Sequence, residues 1–377
     1  MKKVLSLLLC AALAFAVPCS ANAREKPQTG AEAFVLYCVE SEEIILSKNE
    51  NKRMKPASTT KLMTTLLTLE QAAQNDRVIT FTREMEAEGS SMYLEAGEKL
   101  RLSDLAVGMM MCSGNDAANA AAISIAGSVK KFSNLMNARA RKLGMEHTHF
   151  VTPSGLDDPE HYTTARDMAL LMAEGLKNKA FADLTSQKSA GVGFVEPGDK
   201  SVTYSNHNRL LSLYKDCIGG KTGYTTAAGR CLVSAARRDG VTLVCVTLND
   251  KTDWNDHISL FDHGFDKLKA YGGDVDIDLH VVGGDRKTVK VTEKSGCAVV
   301  LDKSAPEPKR KIYLDNFVYA PVKKGEQLGR VDYYIDGKTV KSVPIMAREN
   351  VFNAEFGIVI LSEVERSGTK SKDPLRQ

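Results

Sequence analysis

The stretch Lys55-Pro56-Ala57-Ser58-Thr59-Thr60-Lys61-Leu62-Met63-Thr64 opens a helix, and the reading of the chain works outward from it. Pro56 suits the position just ahead of a helix start, where its fixed φ helps. From Ser58 onward Leu62, Leu66, Leu69 and Ala73 recur at three- and four-residue steps, which predicts a helix. Met63, Leu67 and Ala72 lie off that stripe, so this helix is expected to be buried on most sides. The three-residue step from Ser58 to Lys61 places a hydroxyl and an amine on one face of the same turn. S-x-x-K is frequent by chance, and a serine here also suits a plain helix cap. Its meaning depends on the residues that accompany it.

Upstream, Ala33 to Val39 is apolar and rich in strand formers. Ser41-Glu42-Glu43 then turns into Ile44-Ile45-Leu46, which predicts a hairpin. Downstream, Val78 to Phe81 is a short extended run. Helical patterns follow over Leu102 to Met111, Ala117 to Ile125, Lys130 to Leu143 and Thr163 to Leu176. Cys231 to Ala236, the turn Arg238-Asp239-Gly240, and Val241 to Leu248 predict a second hairpin, and Asp256 to Ala270 a closing helix. Strands at both ends with helices between them define an α+β domain: one antiparallel sheet, assembled from both ends, with helices packed on it. Beyond Gly272 helical periodicity stops. Val289 and Val291 alternate with polar residues. Val331, Tyr333 and Ile335 share a face, and Asp336-Gly337 is a hairpin turn. A small all-β domain ending near Met346 is expected. The resulting division is a leader over 1–23, a first domain over 24–271, an all-β domain over 272–347 and a tail over 348–377.

The chain has 377 residues, 43% apolar and 26% charged, with a formal charge of +3. Such a composition fits globular domains and gives no basis for nucleic acid as a partner. The leader reads as an export signal: Lys2 and Lys3, an apolar run from Val4 to Val17, and a small-x-small site at Ala21-Asn22-Ala23. Its apolar run is shorter than the roughly 20 residues that span a bilayer. The mature protein is therefore expected outside the cytoplasm, in the cell envelope. Removing residues 1–23 takes away Lys2 and Lys3 and leaves about +1. Six cysteines lie beyond that segment, none in a C-x-x-C pair, so neither a metal site nor any other cofactor is expected. Export permits disulfides, but spacing does not pair them. In the tail, Phe352, Phe356, Val359, Ile360 and Val364 could line a helix lying on a membrane. The acidic Glu355, Glu363 and Glu365 and the strand-like Ile358-Val359-Ile360 point the other way, and both readings stay open.

Two further clusters accompany Ser58 and Lys61. Ser113-Gly114-Asn115 follows Met109-Met110-Met111, and Lys221-Thr222-Gly223 lies inside Gly219-Gly220-Lys221-Thr222-Gly223-Tyr224. S-x-x-K, then S-D-N, then K-T-G is the signature order of penicillin-binding proteins and class A β-lactamases; here the middle motif is S-G-N.

The chain resembles the D-alanyl-D-alanine carboxypeptidases, low-molecular-mass penicillin-binding proteins of the S11 peptidase family. The likeness covers nearly the whole mature chain. Beyond the three motifs it includes Asp116-Ala117-Ala118, Ser154-Gly155-Leu156, His161, Thr163-Thr164-Ala165-Arg166-Asp167, Asn206 to Leu211 and Gly220 to Ala235. The resemblance implies a penicillin-binding/β-lactamase-like transpeptidase domain over 24–271, with a trailing β-domain. It implies a peptidoglycan stem pentapeptide as substrate and β-lactam antibiotics as inhibitors. Ser58 is then the nucleophile and Lys61 its base. Ser113 relays a proton to the leaving amine. Asn115 holds the substrate amide or orients Lys61. Lys221 and Thr222 receive the terminal carboxylate, and Gly223 keeps the strand clear for an extended peptide. The backbone N–H groups of Ser58 and Tyr224 form the oxyanion hole.

The chemistry explains these residue types. A serine hydroxyl is a weak nucleophile and needs an adjacent base. An ammonium is no base, but burial and a neighbouring cation both favour the neutral amine. Developing oxyanions need fixed N–H donors. Simpler roles exist for each residue: a cap for Ser58, a turn for Asn115, a solvated charge for Lys221. Met109 to Met111 read as core, and His147, His149 and His161 as structural. Three alternative functions remain open at this stage. A β-lactamase would turn a bound penicillin over rapidly, although no matching glutamate motif lies between Ser113 and Lys221. An endopeptidase would cut cross-linked muropeptides. A non-catalytic wall-binding protein would bind a pentapeptide without releasing D-alanine.

Overall fold

A computed structural model of the chain describes residues 26–273, 275–294 and 296–354. The leader and most of the tail lie outside the described residues, and with them the export-signal and membrane-segment readings. Two units are resolved. One holds the residues up to Ala270 together with Val300–Ala305; the other holds Tyr271–Val299 and the chain from Pro306 onward.

The first unit begins with the hairpin β1 (Ala33–Cys38) and β2 (Glu43–Lys48). A single 3-10 turn over Ala57–Thr60 leads into helix α1 (Lys61–Gln74). Next come β3 (Val78–Thr80) and β4 (Lys99–Arg101), which pair with each other. Four helices follow: α2 (Leu102–Met111), α3 (Asn115–Ala126), α4 (Val129–Lys142) and α5 (Ala165–Gly175). Helix α6 (Lys179–Thr185) precedes a second small hairpin, β5 (Ser189–Gly193) and β6 (Ser201–Ser205), and one helical turn, α7 (Leu210–Leu213). Three long strands, β7 (Cys217–Thr225), β8 (Gly229–Arg238) and β9 (Val241–Leu248), and helix α8 (Asp253–Lys267) complete the layers.

The main sheet has the order β2-β1-β9-β8-β7, so β1 pairs with β9 and joins the two ends of the unit, as the strand pattern predicts. Alternate residues of its buried strands face two separate cores, the period-2 consequence of the pleat. Ala33, Val35, Cys231, Val233, Val244 and Val246 face the helical core, with Leu62, Leu66, Leu105, Met109, Leu171 and Met172. Phe34, Leu36, Leu232, Leu243 and Cys245 face the opposite side, against Leu260, Phe261 and Phe265 of α8. The β8–β9 turn holds Asp239 at φ 48° and Gly240 at φ 80°, a left-handed pair suited to a two-residue hairpin. Met109, Met110 and Met111 are core, as expected.

Two expectations need correction. The middle of the unit holds more strand than the expected extended run at Val78, which is β3: β4 pairs with that run, and β5 and β6 form a further hairpin. Ser189–Gly193 contains two glycines and buries only Val192, too little pattern to mark a strand. The closing helix also differs: it spans Asp253–Lys267 instead of Asp256 to Ala270. The next strand, β10 (Leu268–Tyr271), pairs with a segment some 30 residues downstream. Lys303 ties off the helix end, its backbone N–H donating to Lys267 O at 2.7 Å and its Nζ to Phe265 O at 2.9 Å. Segment 300–305, which sequence places in the β-domain, therefore groups with the first unit.

The chain continues through β11 (Asp276–Val282), β12 (Thr288–Glu293), β13 (Val299–Asp302, the partner of β10), β14 (Lys309–Leu314), β15 (Phe317–Tyr319), β16 (Gln327–Ile335) and β17 (Lys338–Ala347). In the second unit the sheet order is β14-β16-β17-β12-β11-β15, antiparallel except for β11 with β15. Val289, Val291, Val331, Val343 and Ile345 are fully buried in it. Asp336 and Gly337 form the left-handed turn between β16 and β17. No described helix is long and apolar enough to cross a membrane.

Candidate active site

Ser58 sits on the 3-10 turn ahead of α1. The helix N-cap is Thr60, and no side chain caps it. The Ser58 hydroxyl is therefore not occupied as a cap. The Thr60 hydroxyl instead meets His161 Nε2 at 3.0 Å. His161 Nδ1 accepts from the backbone N–H of Val151 and Thr152 at 3.1 and 3.2 Å, so the proton lies on Nε2 and is donated to Thr60. Burial lowers the His161 pKa to about 4, which keeps the ring neutral. His161 thus pins the segment carrying Ser154 to the turn that leads into α1. Gly155 completes that join: at φ 85°, it lies so close that a Cβ would fall 1.9 Å from Ala57 O.

Lys61 is fully buried. Its Nζ lies 3.0 Å from Ser58 Oγ, 2.7 Å from Asn115 Oδ1 and 2.8 Å from the backbone oxygen of Ser154. Two of these three are carbonyl oxygens that only accept. A neutral amine has two N–H bonds and one lone pair. The two carbonyls take the N–H bonds, and the lone pair is left for Ser58 Oγ–H. Burial first, and the charge of Lys221 second, lower the Lys61 pKa well below the ordinary lysine value. The geometry accommodates the neutral amine, and burial together with the Lys221 charge favours it.

The middle motif lies between α2 and α3. Ser113 holds φ 62°, an uncommon conformation for a residue with a Cβ. Its Oγ lies 3.1 Å from Lys221 Nζ. Asn115 donates from Nδ2 to Glu88 O at 2.6 Å, which fixes its amide and points Oδ1 at Lys61. Asp116, which the sequence reading includes beside the motif without a role, is a support for the site. Its carboxylate accepts from the backbone N–H of Met92 (2.9 Å) and Leu94 (3.2 Å) and from Ser91 Oγ (2.6 Å). It thereby holds the 90–94 loop against the motif. An acid directly after S-G-N was the available signal.

Lys221 comes from β7, the edge strand of the main sheet. Its side chain turns inward, with 1% exposure, and donates to Ser113 Oγ and to Thr222 O at 2.8 Å. Burial lowers its pKa to about 7. Gly223 passes directly beneath the Ser58 turn. A Cβ there would lie 2.9 Å from Ser58 N and 3.0 Å from Pro56 O. The Ser58 turn itself imposes this glycine, a closer constraint than room for a peptide. Ser58, Ser113, Thr222, Gly223 and Tyr224 line one cleft of about 530 Å³, which also reaches Arg230 and Trp254.

The structure thus brings two hydrogen-bonded groups to one cleft, Lys61 with Ser58 and Asn115, and Lys221 with Ser113, and adds Thr222, Gly223 and Tyr224 along its wall. Sequence pattern gave no sign of the Ser154 carbonyl or of Arg230 as parts of this site. His147 and His149 stand apart from it. His149 Nδ1 pairs with Glu160 O, and the His147 backbone N–H with Asp167. Among the described residues no group of three or more His, Cys, Asp or Glu side chains could hold a metal. Cys38, Cys112, Cys217, Cys231, Cys245 and Cys297 are free thiols.

A hydroxyl, a buried amine facing it and a bounding edge strand define the class: a serine acyl-transfer enzyme. Residues 20–252 match the peptidase S11 family, described as D-alanyl-D-alanine carboxypeptidase. Residues 267–352 match the C-terminal domain of penicillin-binding protein 5. The chain is 29% identical to D-alanyl-D-alanine carboxypeptidase DacF of Bacillus subtilis, over 99% of this chain and all of that one. It is 31% identical to D-alanyl-D-alanine carboxypeptidase DacC of Escherichia coli, over 88% of this chain and 87% of the other. Crystal structures of penicillin binding protein 5 from Haemophilus influenzae superpose with a TM-score of 0.64 at 29% identity, covering 87% of this chain and 99% of that one. The chain belongs to the S11 family of D-alanyl-D-alanine carboxypeptidases, serine-type, cell-wall enzymes that β-lactams acylate.

Proposed function

We propose that Ser58 is the nucleophile in removal of the terminal D-alanine from peptidoglycan stem pentapeptides, with Lys61 as its base. The contacts of Lys61 support this assignment: with the amine neutral, the two carbonyls take its N–H bonds and its lone pair faces Ser58 Oγ. Ser58 Oγ attacks the D-Ala–D-Ala carbonyl while its proton passes to Lys61. The backbone N–H groups of Ser58 and Tyr224 receive the oxyanion. The proton held by Lys61 is relayed through the hydroxyl of Ser113, held by Lys221, to the departing amine, so that Lys61 is neutral again and D-alanine leaves. Water then attacks the acyl-enzyme, with Lys61 as base once more. The free edge of β7 suits an extended peptide, which adds as a further strand beside Thr222 and Gly223. β-Lactams present a strained amide carbonyl to the same hydroxyl.

The deciding experiment is D-alanine release from a diacylated Lys-D-Ala-D-Ala peptide by the wild type and by Ser58→Ala. Release confined to the wild type, with stoichiometric fluorescent-penicillin labelling lost in the variant, is the expected result. Binding without release by the wild type would overturn the assignment.

Export through residues 1–23, a catalytic domain over 24–271, a β-domain over 272–347 and peripheral membrane contact through 348–377 form the accompanying proposal. Fractionation of cells expressing the full chain or a chain ending at residue 347 tests the last point. Release of only the shortened protein from membranes is the expected outcome, and equal release would overturn it.

A further inference from the structure

Among the described residues, eight besides glycine hold a positive φ. Glu42, Asn49, Asp239, Asn249 and Asp336 lie in the turns that follow strands, and Asn and Asp tolerate that backbone best. Ala57 and Ser113 belong to the active-site turns. The eighth is Tyr93, at φ 61°. A bulky side chain there is a genuine outlier. Its ring is also 81% exposed, so no packing of its own offsets the strain.

The surroundings hold Tyr93 in this state from both sides. Its neighbours Met92 and Leu94 are buried, and their backbone N–H groups both donate to the Asp116 carboxylate. The N–H of Tyr93 itself donates to Ser91 Oγ at 2.8 Å, and that hydroxyl donates to Asp116. Tyr204 of β6 donates from its hydroxyl to Met92 O at 3.0 Å. The same loop reaches the reacting groups. Ser90 O accepts from the backbone N–H of Asn115, the residue that bonds Lys61, and Ser90 lines the cleft with Ser58 and Thr222. One exposed aromatic is ordinary on any surface. An exposed aromatic in a strained backbone, braced by a buried carboxylate at the edge of a cleft, marks a contact made to a ligand.

We propose that Tyr93 is a specificity-determining residue whose ring packs on the aliphatic side chain of the third stem residue while the D-Ala–D-Ala bond lies at Ser58. An extended peptide advances about 3.3 Å per residue, so the third residue is the first side chain beyond the two D-alanines and lies within about 7 Å of the attacked carbonyl. An aromatic face suits a run of methylenes, and its hydroxyl stays in water. The proposal rests on the carboxypeptidase assignment above and adds to it a point at which the substrate is read upstream of the cut. Asp116, Ser91 and Tyr204 are then positioning residues for Tyr93. The competing role for Tyr93 is that of a turn residue that meets no ligand.

The test compares kcat/KM on diacetyl-Lys-D-Ala-D-Ala with kcat/KM on acetyl-Ala-D-Ala-D-Ala, using the full-length protein. The wild type should favour the lysine peptide. Tyr93→Ser should lower kcat/KM on that peptide about 10-fold, the scale of a lost hydrophobic contact. The alanine peptide should change by less than about threefold, because it has no long side chain to meet the ring. Tyr93→Phe should keep the wild-type preference. Tyr93→Gly should lose it as Tyr93→Ser does, with a urea midpoint at or above that of the wild type, since glycine accepts a positive φ without strain. Equal losses on both peptides, no loss on either, or a wild type without preference would overturn the role of Tyr93 while leaving the carboxypeptidase assignment standing. A lowered midpoint in Tyr93→Gly would make Tyr93 a support of the fold and overturn it too. A wild type that releases no D-alanine from either peptide would instead remove that assignment, and the role of Tyr93 with it.

Discussion

Gly223 and Ser58 touch backbone to backbone: a Cβ on Gly223 would stand 2.9 Å from the amide nitrogen of Ser58. The strand that borders the substrate cleft and the turn that carries the nucleophile are therefore held at a fixed separation by the absence of one methyl group. That nitrogen is also one of the two proposed oxyanion donors, so a displacement here acts on the reacting centre directly.

Gly223→Ala is expected to slow acylation by a fluorescent penicillin at least about 10-fold, since outright loss of an oxyanion donor costs about 100- to 1,000-fold and a displaced donor part of that. The stability cost should be about 1–3 kcal/mol, the usual range for an inserted methyl in a packed site. Labelling kinetics alongside thermal melting check it. Normal labelling with normal stability would show that the turn yields freely.

Lys61 works as a base only while unprotonated. Its folded-state pKa is lowered, so the amine form predominates above that lowered value and disappears as pH falls through it. Acylation should therefore rise with pH along a limb well below the ordinary lysine value of 10.5. Lys61→Met should cut acylation by about 100- to 10,000-fold, the usual worth of a general base. It should also abolish that limb. Stability carries the same sign. Between the two pKa values the unfolded chain binds the extra proton, so unfolding becomes harder as pH rises, and the methionine variant should lose that slope. A limb that survives in Lys61→Met would assign it to another group.

Asp116 accepts two backbone N–H groups and a hydroxyl from the 90–94 loop while itself 3% exposed. Asp116→Ala leaves those donors without partners and should cost about 2–4 kcal/mol, as loss of charge-assisted buried bonds does. It should also reduce penicillin labelling, because Asn115 is bonded to the same loop through Ser90 O at 2.7 Å. Denaturant melts and labelling rates measure the two effects. A stable, fully reactive variant would separate the loop from the site.

His257 lies buried between Ser234 Oγ at 2.6 Å and Thr247 Oγ1 at 3.1 Å, and burial lowers its pKa from 6.5 to about 3. Its stabilising effect is complete above the unfolded value of 6.5. It is lost progressively as pH falls toward about 3, because only the unfolded ring takes up a proton in that window. At about 1.4 kcal/mol per unit, the loss is of the order of 3–5 kcal/mol. His161, lowered to about 4, adds to it in the same direction. His257→Gln should flatten the stability profile between pH 6.5 and 4 in urea unfolding. An unchanged slope would show that other groups carry the acid sensitivity.

Much of this molecule is legible in its sequence because the relevant signals are local. The step from Ser58 to Lys61 is one turn of helix. The Asp239-Gly240 and Asp336-Gly337 turns name their hairpins, since few residues tolerate a left-handed backbone. Val289 and Val291 show their buried face by alternation. Where the local signal is weak the reading falters. Ser189–Gly193 is glycine-rich and half exposed, and Leu268–Tyr271 looks like the end of a helix because its strand partner lies far along the chain.

Sequence by itself determined which groups the protein brings to its chemistry and in what order along the chain, since side-chain identity and short-range periodicity are properties of neighbouring residues. The tertiary structure alone decided their states. Lys61 meets Asn115, 54 residues away, and Ser154, 93 residues away, and those contacts aim its lone pair at Ser58. Burial took charge from Lys221, and Asp253 fixed Arg230 at the cleft. Protonation and hydrogen-bond direction depend on what surrounds an atom in space, and only the closed fold supplies those surroundings.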